Sequence, residues 1–456
     1  MPYDAMTSSF VHPDVIRGQF CSALSNMYRK EVPLYGDLVE LVNEVNEQVR
    51  AQGGSWEIAQ RLGVERHGAI RLGKPSELAF IARLFRVMGM HPVGYYDLST
   101  AGVPVHATAF RPITPSALAA NPFRVFTSLL RPELIVDAQL RQEAMSILDK
   151  REIFHPTVRA LVAKAEEEGG LDEREAAELV RFALETFRWH ETALVDETTY
   201  RKLKATHPLI ADITGFQGPH INHLTPRVLD IDAAQDGMVK RGIPPKQIIE
   251  GPPKRSCPIL LRQTSFQALS EPIKFPGGQT DGSHRARFGE IESRGVALTR
   301  KGHQLYLDLQ EKNRILAGQS TPTDDNAKHQ ARLSRTFQPF PDSWTELRRG
   351  QLAFFTYSLA FHSVTPRLDK TLEELIMDGL VIATPVVYED FLPASAAGIF
   401  QSNLGEHEQR TLGGDSRQAE FEQSLGRKVE DYFEMYEKMQ EESIQEVIRL
   451  TGCKRG

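Results

Sequence analysis

Gly215-Phe216-Gln217-Gly218-Pro219-His220-Ile221-Asn222-His223-Leu224-Thr225-Pro226-Arg227 sets two imidazoles beside a Gly-Pro turn signal. Gly218-Pro219 cannot continue a helix, and in an extended chain Ile221, His223 and Thr225 share one face while His220, Asn222 and Leu224 take the other. A spacing of three suits two ligands on a helix but not on a strand, so one histidine of the pair is expected to bind a metal. A lone histidine is more often an ordinary hydrogen-bonded side chain. A metal reading therefore requires a second histidine and a carboxylate on strands of their own, the two-histidine, one-carboxylate set that leaves positions open on the ion.

The 456 residues, 41% hydrophobic and 25% charged, have the composition of a soluble globular chain with two to three layers or subdomains around a substantial core. A net charge of -6, with Lys and Arg scattered, offers no basic stripe for nucleic acid, so a small-molecule partner is expected. Cys21, Cys257 and Cys453 lie far apart, which supports neither a zinc knuckle nor a disulfide framework and fits a reducing compartment. No secretory pattern opens the chain and no run approaches the ~20 apolar residues of a membrane span, so a cytoplasmic protein with no membrane partner is expected.

Outward from residues 215–227, the elements read as follows. Apolar residues recur at helical spacing over 13–52, broken at Val32-Pro33, which predicts two scaffold helices in an N-terminal segment 1–60. At Glu65-Arg66-His67-Gly68-Ala69-Ile70-Arg71-Leu72-Gly73 the period becomes two, placing His67, Ala69 and Arg71 on one face. A helix from Pro75 to Met88 and a strand at 93–98 follow, giving a first module over 61–115. After His223 the order recurs: strand 221–227, helix 231–241, strand 258–264, as in a duplicated unit. Between the modules, 116–205 reads as a helical insertion, with 123–204 almost wholly helical. Residues 272–287 are rich in Gly, Pro and polar residues and read as a loop. The second module and the rest of the sheet run over 206–405. An amphipathic helix over 421–450 dominates the last segment, 406–456.

Arg287-Phe288-Gly289-Glu290-Ile291-Glu292-Ser293-Arg294 puts Glu290 and Glu292 on one face of a strand. The bland alternative is a solvated edge with a Glu292–Arg294 ion pair worth at most ~1 kcal/mol. The apolar flanks of Glu290 argue instead for a strand entering a core, where a carboxylate needs a partner or a metal. His67, His223 and Glu290 thus form a candidate triad on three strands, with His220 and Glu292 beside it and His284 and His362 in reserve. Arg71 lies two side-chain steps beyond His67, roughly 13 Å at ~3.3 Å per residue.

Asn222-His223-Leu224-Thr225 and Phe288-Gly289-Glu290-Ile291 resemble the second-histidine and glutamate strands of vicinal oxygen chelate enzymes. Residues 66–73, 220–227, 287–295 and 391–404 together resemble the signature blocks of the 2-oxoadipate dioxygenase/decarboxylase family over nearly the whole chain. That resemblance implies an α+β fold, a curved mixed sheet built from βαββ-type modules around a metal site, with helical additions. It implies Fe(II) held by His67, His223 and Glu290, a 2-oxo diacid and O2 as partners, and Arg71 as the grip on the distal carboxylate. Ala394 and Ser395 fall in its pocket loop, whose small residues permit close approach. The implied reaction converts 2-oxoadipate and O2 to 2-hydroxyglutarate and CO2 in lysine breakdown. The rivals are a non-redox isomerase of the glyoxalase type and a metal-binding protein without turnover.

Overall fold

The period-two stretch around His67 becomes strand β1, Arg66–Leu72, in which every residue after Arg66 is buried. In this computed structural model, residues 10–53, 59–277, 281–285, 287–318, 326–360, 369–392 and 417–455 are described. The chain divides into two compact units, one of Met1–Lys246, Thr264–Glu292 and Pro393–Glu430, the other of Gln247–Gln263, Ser293–Leu392 and Asp431–Gly456.

Further strands are β2 (His91–Asp97), β3 (Val105–Arg111), β4 (Arg124–Leu130), β5 (His223–Pro226), β6 (Leu261–Ser265), β7 (Ser270–Lys274), β8 (Asp281–Arg285) and β9 (Phe288–Arg294). Six of these join β1 in one seven-stranded mixed sheet, in the order β2-β3-β4-β1-β5-β9-β6. The expected α+β class and mixed sheet hold. Each module starts with a histidine strand, crosses a helix (Pro75–Val87 or Ile231–Lys240) and closes with a strand parallel to its first. β4 closes on β1 and β9 closes on β5. The two modules then join through β1 and β5, which are antiparallel, with His67 opposite Thr225.

Three sequence expectations need correction. Residues 124–130, inside the stretch read as helical, form β4, and all seven are buried. A strand covered on both faces shows no alternation, and helices flank it on the C-terminal side. Residues 105–111, for which the sequence reading gave no element, form β3 and are likewise buried throughout. The expected loop over 272–287 contains the β7–β8 hairpin, with Ser270 opposite Arg285 and Lys274 opposite Asp281. In β7 only Ile273 is buried, so no hydrophobic pattern announced it. The terminal helix is two: Gln418–Leu425 stops at Gly426, whose φ of 76° favours glycine, and Tyr432–Thr451 restarts under an Asp431 cap.

The N-terminal helices hold the ligand strands in place. Pro13–Glu31 buries Phe20, Leu24 and Tyr28, and the Tyr28 hydroxyl reaches both the Asn222 carbonyl at 3.0 Å and the Phe288 carbonyl at 2.7 Å. From Pro33–Ala51, Asn46 donates to the Arg227 carbonyl and accepts from the Leu229 amide, fixing the exit of β5. In the second unit, β10 (Phe355–Leu359) pairs with β11 (Val381–Pro385). There Leu372, Leu375, Val381, Ile444 and Val447 form a core of their own. Among the described residues no helix is long and apolar enough to cross a membrane.

Gly68 lies at the junction of the two modules. A Cβ there would lie 2.6 Å from Ile221 Cδ1 and 2.9 Å from the His223 carbonyl oxygen. Gly68→Ala is expected to cost about 1–3 kcal/mol in denaturant unfolding, because backbone has to shift. Gly63→Ala, with nothing within 4 Å of the added Cβ, is the control and should be neutral or stabilising by up to about 1 kcal/mol.

Candidate metal centre

Register brings the triad together. His67 pairs with Thr225 across the antiparallel junction. His223 pairs with Phe288 in the parallel β5–β9 ladder, so Thr225 and Glu290 fall side by side two residues later. His67, Thr225 and Glu290 therefore form one row over three neighbouring strands, with His223 one side-chain step away on the same face. One ligand atom from each of His67, His223 and Glu290 lies within 4.8 Å of the others, and all three residues are buried.

Each imidazole is oriented from behind. His67 Nδ1 is 2.9 Å from Glu292 Oε2, and His223 Nδ1 is 2.7 Å from Asn222 Oδ1. With each Nδ1 facing an oxygen, both Nε2 atoms turn toward Glu290, at 3.1 Å from His67 and 4.0 Å from His223. Thr225 donates its hydroxyl to Glu290 Oε1 at 3.1 Å. This is the usual support of a metal-binding histidine, whose second nitrogen donates to a carboxylate or carbonyl.

The electrostatics fit a cation. His223 Nε2 is buried without a hydrogen-bond partner, a lone pair facing its neighbours' ligand atoms. Burial, then His67 and Arg71, hold the His223 pKa well below the usual imidazole range, so the ring is neutral and able to coordinate. Burial opposes charge on His67 too, but Glu292 and Glu290 outweigh it and raise its pKa. The two-nitrogen, one-oxygen donor set suits a divalent transition metal. Of the two charged residues paired in the sequence reading, Glu292 lies against His67, and Arg294 donates to the Tyr388 and Asp390 carbonyls.

A second buried cluster surrounds Arg71. Its Nη1 is 2.6 Å from Asp212 Oδ2, while Asp212 Oδ1 is 2.7 Å from His284 Nε2 and 3.4 Å from His220 Nε2. His284 Nδ1 is 2.7 Å from the Tyr200 hydroxyl. Trp189 stacks parallel to His284 at 5.9 Å and meets His220 edge-on at 4.8 Å. Burial alone raises a carboxyl pKa, but Arg71, His220 and His284 together hold Asp212 well below the usual range. Burial pushes His220 down to about 3, leaving it neutral.

Of the histidines weighed from the sequence, the structure brings His67 and His223 to Glu290 and places His220 and His284 in the Arg71 cluster. His362, Ala394 and Ser395 lie outside the described residues. Sequence reasoning missed Asn222, Tyr200 and Asp212. For Asp212 a signal existed: it is the one charged residue of Pro208–Gly215, a helix buried at every position, and a lone carboxylate in such a helix requires partners elsewhere.

Comparison with known proteins matches this arrangement to one family. The family model described as 2-oxoadipate dioxygenase/decarboxylase matches residues 20–403. Curated relatives carrying that description include one from Pseudomonas putida, 52% identical over 453 residues (96% of this chain, 97% of the relative). Another, from Escherichia coli, is 53% identical over 443 residues (94% and 97%). The crystal structure of the hydroxyglutarate synthase in complex with 2-oxoadipate from Pseudomonas putida superposes with a TM-score of 0.89 at 51% identity, covering 97% of this chain and 99% of that one. With full-length identity at this level and a buried two-histidine, one-carboxylate cluster in the matched region, the chain belongs to the 2-oxoadipate dioxygenase/decarboxylase family.

Proposed function

We propose that this chain converts 2-oxoadipate and O2 to 2-hydroxyglutarate and CO2, in the breakdown of lysine, with Fe(II) held by His67, His223 and Glu290. The carrying observation is the buried cluster of those three side chains, with His223 Nε2 lacking any hydrogen-bond partner. Family membership favours this oxygenase reading over the glyoxalase-type isomerase. The stoichiometry closes without a second 2-oxo acid: CO2 leaves with the oxygens of the substrate's own C1 carboxylate, and both atoms of O2 enter 2-hydroxyglutarate, one in the new carboxylate and one in the hydroxyl.

A bound ferrous ion supplies sites for the 2-oxo acid's carboxylate and keto oxygens and for O2, since three protein ligands leave that many positions open. The chain's own contribution is orientation and exclusion of water. Glu292 and Asn222 fix both ring planes, and the Thr225 hydroxyl holds one oxygen of Glu290. Arg71, 1% exposed and one step beyond Ala69 on the His67 face, suits the distal carboxylate, because a guanidinium stays charged when desolvated and can donate two parallel hydrogen bonds. Ala394 and Ser395 are assigned to the pocket wall on the family resemblance.

Three measurements test this. Protein loaded anaerobically with Fe(II) should consume O2 with 2-oxoadipate and release CO2, and His223→Ala should lose both iron and turnover; iron retained by that variant would refute the ligand set. Glu292→Gln keeps all three ligands but weakens the hold on His67, so its metal affinity should fall about 10- to 100-fold, read by competition with a chelator. Arg71→Ala should keep its iron, yet lose orders of magnitude in kcat/KM for the diacid, because a desolvated charged hydrogen bond is gone. A 2-oxo monoacid should lose little in the same variant. An unchanged diacid-to-monoacid ratio would remove Arg71 from the substrate.

A further inference from the structure

Asp212 is held more firmly than an ion pair requires. Arg71 alone would neutralise it, at 2.6 Å through Oδ2. Its other oxygen is engaged as well, by His284 Nε2 at 2.7 Å, and the far nitrogen of His284 is engaged in turn by the Tyr200 hydroxyl at 2.7 Å. The ring of His284 is pinned between Trp189, parallel to it at 5.9 Å, and Phe216 at 4.8 Å. The four residues come from β1, the helices Pro208–Gly215 and Glu197–Thr206, and strand β8, so the chain converges four elements to fix one carboxylate.

That rigidity has a geometric consequence for Arg71. A guanidinium is planar with five donors in a fixed fork, and a carboxylate is gripped best by two of them in parallel. Asp212 takes hold at Nη1, so the position of Asp212 sets the direction in which the remainder of the fork faces. A long, flexible arginine left to itself would lose this orientation, along with the rotamer entropy needed to recover it on binding. We infer that Asp212, clamped by His284 and Tyr200, is a positioning residue that presents Arg71 to the distal carboxylate and so sets the preference for diacids. This inference rests on the reading of Arg71 given under the proposed function. A purely structural role would leave the selectivity of conservative variants unchanged, and that readout separates the two roles.

The experiment compares iron-loaded parent, Asp212→Asn and Tyr200→Phe on 2-oxoadipate and on 2-oxohexanoate, the monoacid of equal chain length, with iron content measured alongside. Asp212→Asn keeps size and removes charge. It should lower kcat/KM for 2-oxoadipate about 10- to 100-fold, the cost of a hydrogen bond to a charged group, mainly through KM. Iron content and kcat/KM for 2-oxohexanoate should stay at the parent's values. Tyr200→Phe, which deletes one hydroxyl at the end of the chain of contacts, should shift the diacid-to-monoacid ratio the same way by a smaller factor. Loss of both substrates in equal proportion, or an unchanged ratio in Tyr200→Phe, overturns the inference. Should Asp212→Asn fail to fold, the Tyr200→Phe ratio decides alone. A parent that consumes O2 with neither acid defeats the proposed function itself, whereas an active parent whose variants keep its ratio defeats only the positioning role.

Discussion

Charge buried at the β1–β5 junction has to be neutralised inside the sheet, and much of the first unit is arranged around that requirement. Glu65, completely buried just before β1, is met by Arg61 at 3.0 Å, Arg124 at 2.9 Å and Arg227 at 3.0 Å. Burial would raise its pKa, but Arg227, Arg61 and Arg124 hold it well below the ordinary carboxylate range. A depressed folded-state value means stabilisation that is present above the ordinary carboxylate pKa and lost as pH falls toward the depressed one. Removing one partner of such a network leaves an uncompensated charge in a low dielectric, which is strongly destabilising.

The network lies directly behind the candidate metal centre. The Arg227–Glu292 bridge continues the parallel ladder that pairs His223 with Phe288, so Arg227 and Glu292 form the next row after Thr225 and Glu290. Glu292 thus stands between an arginine row and the imidazole of His67. Beside the carboxyl groups of Glu290 and Glu292, burial keeps His223 neutral. The strands that carry the ligands and the residues that balance their charge are the same strands, so fold and site are stabilised by one set of contacts.

This explains what the sequence disclosed. The triad was legible because β1 and β9 alternate around polar residues that face inward, giving period-two patterns with His67 and Glu290 in phase. Parity put His220 and His223 on opposite faces so that only one could join the triad, and the family resemblance pointed to His223. What parity could not show is support from neighbours: Asn222 orients His223 from the adjacent position on its own chain, a contact that depends on side-chain rotamers. β4 and β3 escaped because burial on both faces erases alternation, and β7 escaped because it is almost wholly exposed. Asp212 was legible in principle as a carboxylate inside Leu209-Ile210-Ala211-Asp212-Ile213, but its partners lie 141 residues away in one direction and 72 in the other, beyond any local pattern.

The paired architecture also accounts for the number of ligands. In the first module His67 pairs with Arg124, and in the second His223 pairs with Phe288, both in parallel register. Two residues further along the closing strand, the second module has Glu290 and the first has Phe126. The same offset places Thr225 beside Glu290, and Ala69 beside Phe126. Each module thus contributes a histidine at the equivalent position, but only one contributes a carboxylate and the hydroxyl that supports it. Had both done so, a metal there would meet four protein ligands, and little room would remain for a chelating 2-oxo acid together with O2. Phe126, 2% exposed and 5.2 Å from the ring of Tyr96, stands in the first module at the register position that Glu290 holds in the second. The asymmetry between the two modules yields a set of three ligands, and three protein ligands would leave a bound ion the open positions that the proposed chemistry requires.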